Sequence, residues 1–308
     1  MLLQDAEILT AIITPFNEDG TINYAGLSEL VNHLIDHSSQ GFIVGGTTGE
    51  VATLTNDEKV ALYQKFVEIV DGRVPIVAGT GSNNTQATID LSRRVNQIDG
   101  ITALLVVVPY YNKPNQRGML AHYTAVADNS ALPIIIYNIP GRTGVTMANE
   151  TILELAKNPK IIGVKQCTTI EDLEYLVEHA PKGFLVYSGE DDQSLAAKAI
   201  GAQGIISVAS HVYGDQMRQM YDALEAGNVA EAGAWQRKLT PKMDALFMFP
   251  SPSGVKALLN AQGFHTGGCR LPIVDLTAKE EQQLAHRLGM PHDDLHQPIV
   301  LELGESND

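Results

Sequence analysis

The chain has 308 residues, 44% hydrophobic and 19% charged, with a net charge of −15. This is globular composition; the acidity excludes nucleic acid and anionic membranes as expected partners, and no apolar run nears the roughly 20 residues that span a bilayer. Cys167 and Cys269, the two cysteines, form neither a disulfide framework nor a zinc spacing, and the acidic start "MLLQDAEILT" lacks the pattern of a signal peptide, so a cytoplasmic location is expected.

The first apolar run is "LTAIITPF" (9–16). It is followed by "YAGLSELVNHLIDH", where Leu27, Leu30, Val31, Leu34 and Ile35 make one helical stripe. "GFIVGG" (41–46) comes next, and then "TNDEKVALYQKFVEIV", in which Thr55 and Glu58 have the spacing of a capping box. "PIVAGT" (75–80), "ALLVVVP" (103–109), "PIIIYN" (133–138), "IIGVKQ" (161–166), "FLVYSG" (184–189) and "GIISVAS" (204–210) complete the series. Each run is continuous rather than alternating, as in strands covered on both faces.

Eight such strands, alternating with helical stretches over about 220 residues, predict an α/β fold of the (β/α)8 TIM barrel type. An open doubly wound sheet would favour a glycine fingerprint after the first strand, and "TPFNEDG" is not one. After residue 228 the strands stop, and three helical stretches predict a small C-terminal helical domain. The expected organisation is a catalytic barrel (1–228), a helical appendage (229–290) and a loose acidic tail (291–308).

In this barrel class chemistry sits at the C-terminal ends of the strands. Those ends carry Thr47 and Thr48 in "GGTTGE", Tyr110 and Tyr111 in "PYYNKP", Tyr137 followed by Arg142 in "YNIPGRTG", and Lys165 in "IIGVKQCT". The set is hydroxyls and two cations. Lys165 closes an apolar strand. Its plain reading is a lysine whose head reaches solvent; its chemical reading is an amine that burial leaves partly neutral. A neutral amine attacks a ketone to form a Schiff base, whose iminium draws electrons from the adjacent carbon. This chemistry needs no metal and no organic cofactor. It needs a proton carrier, which Tyr137 on the adjacent strand can be. Arg142 can grip a carboxylate with two hydrogen bonds.

Other motifs carry less. "GTGSNNT" (79–85) lacks the lysine and spacing of a phosphate loop and reads as a tight turn. His33 and His37 share a helix face without an evident third metal ligand. "SGEDD" (188–192) can shape the pocket or cap a helix.

"GTTGE", "PYYNKP", "YNIPGRTG" and "GVKQCT", in this order, resemble the dihydrodipicolinate synthase branch of the pyruvate-dependent class I aldolases. The resemblance covers the barrel and the appendage. It implies condensation of pyruvate with L-aspartate 4-semialdehyde, in lysine and diaminopimelate biosynthesis. It also implies a role for each matching residue: Lys165 as the Schiff-base lysine, Tyr137 as proton donor and acceptor, and Thr47 and Tyr111 as the relay. Tyr111 would reach in from a neighbouring subunit of a homotetramer, a dimer of dimers. Thr48 and the main chain at Ile206 match the pyruvate site, and Arg142 matches the residue that binds the semialdehyde's carboxylate. Sister aldolases acting on N-acetylneuraminate or 2-keto-3-deoxy sugar acids share the lysine, the tyrosine and the fold, and stand as the alternative. In members inhibited by L-lysine, a serine, a His–x–x–His and an acid help to bind the inhibitor. Here those positions hold Val51, Asn56, Lys59 and Ala87, while Asn83 and Tyr110 are retained, so weak or absent inhibition by lysine is expected.

Overall fold

Eight short apolar runs form eight parallel strands that close on themselves. In the computed structural model, which describes residues 1–303, these are β1 (Ile8–Ala11), β2 (Gly41–Val44), β3 (Ile76–Gly79), β4 (Ala103–Val107), β5 (Ile134–Asn138), β6 (Ile161–Gln166), β7 (Leu185–Ser188) and β8 (Gly204–Ser207). Each strand pairs with its neighbours in sequence, and β8 pairs with β1 to complete the barrel. All pairs are parallel. With helices outside and side chains inside, both strand faces are dry, which is why the runs show no alternation.

The first four helices are α1 (Tyr24–Asp36), α2 (Asn56–Val70), α3 (Thr85–Val95) and α4 (Gln116–Asp128). A short helix, α5 (Pro140–Thr143), precedes α6 (Asn149–Leu155), α7 (Ile170–His179), α8 (Ser194–Ala199) and α9 (Ser210–Glu225). The capping box read from Thr55 and Glu58 is formed at the start of α2, with both reciprocal bonds present. Leu27, Leu30, Val31 and Leu34 of α1 are buried against the outer face of the barrel, in the largest apolar cluster.

A second cluster fills the barrel interior, including Leu9, Ile43, Val77, Leu105, Ile135, Tyr137, Tyr187 and Ile206. The floor is closed by the residues before β1, because the Tyr187 hydroxyl bonds to the Leu3 and Ala6 carbonyls at 3.1 and 2.8 Å. The mouth is therefore at the other end. There the glycines of "GTGSNNT" have a packing role: a Cβ on Gly79 would run into the Gly45 carbonyl. Asn84 of the same motif caps α3 by accepting from the Ala87 N–H.

Beyond the barrel lie α10 (Val229–Ala245), α11 (Ser253–Ala261) and α12 (Ala278–Leu288). Their apolar faces share one core with Tyr213, Met217, Met220 and Tyr221 of α9. The stretch after residue 290 departs from the loose tail expected of it. Leu295 and Leu301 are buried in this same core, and the carbonyls of Leu295 and Gln297 accept from Gln262. An acidic composition hid a few well-spaced apolar anchors. Residues 304–308 of that predicted tail lie outside the described residues.

Candidate active site

Lys165 is the last residue but one of β6, with its side chain inside the barrel and only 7% exposed. Its register partners are Tyr137 on β5 and Tyr187 on β7. Tyr187 points to the floor, whereas the Tyr137 ring lies beside the lysine, its centroid 4.6 Å from Nζ. One position further along, Asn138 and Gln166 are again partners, and their side chains bond to each other at 2.9 Å. Asn138 also exchanges two bonds with the backbone of Met147, and Gln166 donates to Asn149. This buried amide pair ties the ends of β5 and β6 to the following loop, fixing the two reactive side chains just before it. Sequence reading missed it; the equal offset of both amides from the two reactive residues was its only signal.

The loop after β7 presses on the lysine. Gly189 has no room for a side chain: a Cβ there would meet the Cys167 sulfur and Lys165 Cε. Asp191 is buried, and one of its oxygens accepts from the Val208 and Ala209 N–H groups at 3.1 and 2.9 Å. The other has no partner among the described residues. "SGEDD" thus caps the turn leading into α9, with α8 and β8 in between, and not the helix that follows it directly.

More than burial acts on the Lys165 amine, which the sequence alone would leave partly neutral. Burial pushes its pKa down, but Tyr137, Cys167, Asp191 and Glu190 push it up, and together they outweigh burial. The groups around the amine thus favour its protonated form. Burial also raises the pKa of Glu190 and Asp191 and pushes the Cys167 thiol up to about 12. Sequence reading weighed desolvation alone, because residues 190 and 191 could not be placed beside residue 165 without the closed barrel.

The remaining predicted residues ring the mouth. Thr48 is buried and Thr47 half-buried in the turn after β2. That turn is held by bonds from Gly49 N–H to Gly46, from Glu50 N–H to Thr47 and from the Thr14 hydroxyl to Gly49. Ile206 is fully buried on β8, facing the interior and paired with Leu9. Arg142 is exposed in α5, directly after the end of β5, near enough for its charge to lower the Cys167 pKa in part.

Tyr111 does not join them within this chain. Its side chain is 86% exposed, its backbone is left-handed (φ 74°), and its N–H bonds to the Thr143 carbonyl at 3.3 Å. Among the described residues no group of three or more His, Cys, Asp or Glu is placed to hold a metal. His37 instead meets the Asp215 carboxylate at 2.7 Å, and the His33 ring packs 4.8 Å from that of Phe264. No helix is long and apolar enough to cross a membrane among the described residues.

Comparison with known proteins gives one consistent answer. The model of the dihydrodipicolinate synthetase family matches residues 4–290. A 4-hydroxy-tetrahydrodipicolinate synthase from Limosilactobacillus reuteri is 60% identical over 305 residues, 99% of each chain. One from Pediococcus pentosaceus is 57% identical over 291 residues, 94% of this chain and 97% of the other. Among solved structures, a dihydrodipicolinate synthase from Bacillus anthracis superposes with a TM-score of 0.91 at 43% identity, covering 94% of this chain and 99% of its own. A lysine-bound structure of the enzyme from Cyanidioschyzon merolae gives 0.89 at 36% identity, with 92% and 97% covered.

Proposed function

The chain belongs to the dihydrodipicolinate synthetase family, and from that premise we propose how its residues divide the work of a 4-hydroxy-tetrahydrodipicolinate synthase. The enzyme is a Schiff-base-forming lyase that condenses pyruvate with L-aspartate 4-semialdehyde. The observation that carries the assignment of roles is the pairing of Lys165 with Tyr137 across β5 and β6.

Pyruvate enters with its carboxylate toward the turn of Thr47 and Thr48, and its ketone toward Lys165. The lysine is held as an ammonium, so it must lose a proton before it can attack. Tyr137, its ring centre 4.6 Å from Nζ, takes part in that transfer. Attack of Nζ on the ketone carbon forms the C–N bond, and the carbonyl oxygen leaves as water. The iminium then lets the methyl carbon release a proton and become an enamine. This carbon adds to the aldehyde carbon of the second substrate, whose oxygen takes up a proton; the amino group of that substrate then adds to the iminium carbon, the C–N bond to Lys165 breaks, and the cyclic product leaves the free amine behind. Tyr137, with the Thr47 hydroxyl behind it, carries the protons in both halves. Arg142 holds the semialdehyde's carboxylate, and the main chain at Ile206 lines the pyruvate subsite opposite. The Schiff-base route calls for neither a metal nor an organic cofactor.

Tyr111 fits a place in the partner's site. A phenol left in solvent, on a loop fixed by a backbone bond beside Arg142, is well placed to complete the relay of a second copy in a tight dimer. Two such dimers make the proposed homotetramer. A cytoplasmic location belongs to the same reading. The test of the substrate is a comparison of acceptors with pyruvate as donor. Turnover with L-aspartate 4-semialdehyde faster than with N-acetylmannosamine or glyceraldehyde supports the assignment; the reverse order would move it to a sugar-type aldolase.

A further inference from the structure

The glutamate that ends "GGTTGE" has no part in the chemistry above, yet both its backbone and its side chain are closely held. Glu50 has a left-handed backbone (φ 54°, ψ 34°). That conformation is costly for a residue other than glycine and persists only where the surroundings impose it. Its N–H donates to the Thr47 carbonyl at 3.0 Å, so the turn carrying both threonines closes on it. Its side chain leaves the barrel altogether. One carboxylate oxygen lies 2.7 Å from Nζ of Lys256 in α11, with both side chains 2% exposed. The other accepts the Arg270 N–H at 2.7 Å. Lys256 in turn donates to the Gly268 carbonyl at 2.8 Å and sits over the Phe16 ring, 4.3 Å from its centroid.

A buried ion pair is a weak source of stability, since apolar side chains of the same volume often serve as well. What it supplies is direction. If the turn moved, two buried charges would lose their partners, whereas an apolar contact could slide at little cost. Resting on the Schiff-base reading, we infer that Glu50 and Lys256 are a positioning pair. They hold the Thr47–Thr48 turn in the geometry that binds pyruvate, so the helices beyond the barrel take part in catalysis.

The inference is tested with Glu50→Gln, which keeps the shape and removes the charge, and with the double variant Glu50→Leu/Lys256→Met, which leaves no buried charge unpaired. Both are compared with the parent protein in steady-state kinetics, thermal melting and borohydride trapping with pyruvate. The expected result is a fall of about tenfold or more in kcat/KM for pyruvate in both variants. The value for the aldehyde should fall by clearly less than the pyruvate value, because Arg142 on a separate loop holds that substrate and only the Thr47 part of the relay is shared. The double variant should melt near the parent. If it does not fold, Glu50→Gln decides alone. Retention of kcat/KM for pyruvate within about twofold, or equal losses for both substrates, would overturn the positioning role. Absence of pyruvate-dependent labelling in the parent is a different failure: it would remove the reaction assignment itself, and the inference with it.

Discussion

Tyr137 and Lys165 face each other across adjacent parallel strands, the ammonium 4.6 Å from the centre of the phenol ring. In the proposed mechanism the lysine supplies the covalent bond and the tyrosine carries the protons. Replacing Tyr137 by Phe keeps the apolar body, so folding should be preserved. It should cut turnover by about 10²–10⁴-fold, the usual size of a positioned acid–base contribution. Steady-state assays beside a thermal melt check this; a variant within about tenfold of the parent would remove Tyr137 from the mechanism.

The second prediction concerns pH. Lys165 has a pKa above the ordinary lysine value because Tyr137, Cys167, Asp191 and Glu190 outweigh its burial. The reactive, neutral fraction therefore grows as pH rises through neutrality, and kcat/KM for pyruvate should rise with it. Glu190→Gln removes a negative charge that favours the ammonium. The rising limb should then shift to lower pH. A pH–rate profile that stays in place or moves upward would contradict the electrostatic account.

Gly189 gives a steric prediction. A methyl group there would strike Cys167 and Lys165 Cε, and overpacking of this kind costs roughly 1–3 kcal/mol. Gly189→Ala should lower the melting temperature and slow imine formation together. Stopped-flow or quench measurements with pyruvate alone would separate it from an effect on the aldehyde half.

Legibility from sequence followed sequence distance. The strands were readable because each is a local run of apolar residues, and Lys165 stood out because a cation interrupts one of those runs. Thr47 and Arg142 could be placed because each sits just past a strand end, and Tyr137 because it lies in the last residues of a strand. The charge state of Lys165 was not, because Glu190 and Asp191 bear on it from the loop after β7. Nor was the burial of Glu50, whose partner is in α11, in the second half of the chain. The packing of Leu295 and Leu301 was masked by the acidic residues around them. Local patterns named the elements; contacts between distant segments decided what the residues on them feel.

A fourth prediction follows from Glu58. Arg270 holds its carboxyl at a pKa of about 2, below the usual range. A depressed carboxyl stabilises the fold above its unfolded pKa, and that contribution is lost as pH falls from the ordinary glutamate value toward 2. The Glu58 side chain is 31% exposed, so screening by solvent limits the effect to about 1 kcal/mol. Glu58→Gln should melt lower than the parent at pH 7, and the gap should close on acidification below about pH 4.5.

The fifth prediction is regulatory. In the inhibitor site that the family resemblance implies, Lys59 is a half-buried cation where an acceptor of lysine's ammonium would help, and Ala87 offers no counter-charge. Inhibition by L-lysine should be weak or absent, with an inhibition constant above about 1 mM. A value well below that would show that Asn83 and Tyr110 suffice to hold it.

The most direct measurement is chemical trapping. The protein is incubated with pyruvate, reduced with borohydride, digested, and the modified peptide is mapped by mass spectrometry. The predicted result is one pyruvate-derived adduct, on Lys165, that does not form without pyruvate or in Lys165→Ala. Attachment at any other lysine, or no attachment, would contradict the account.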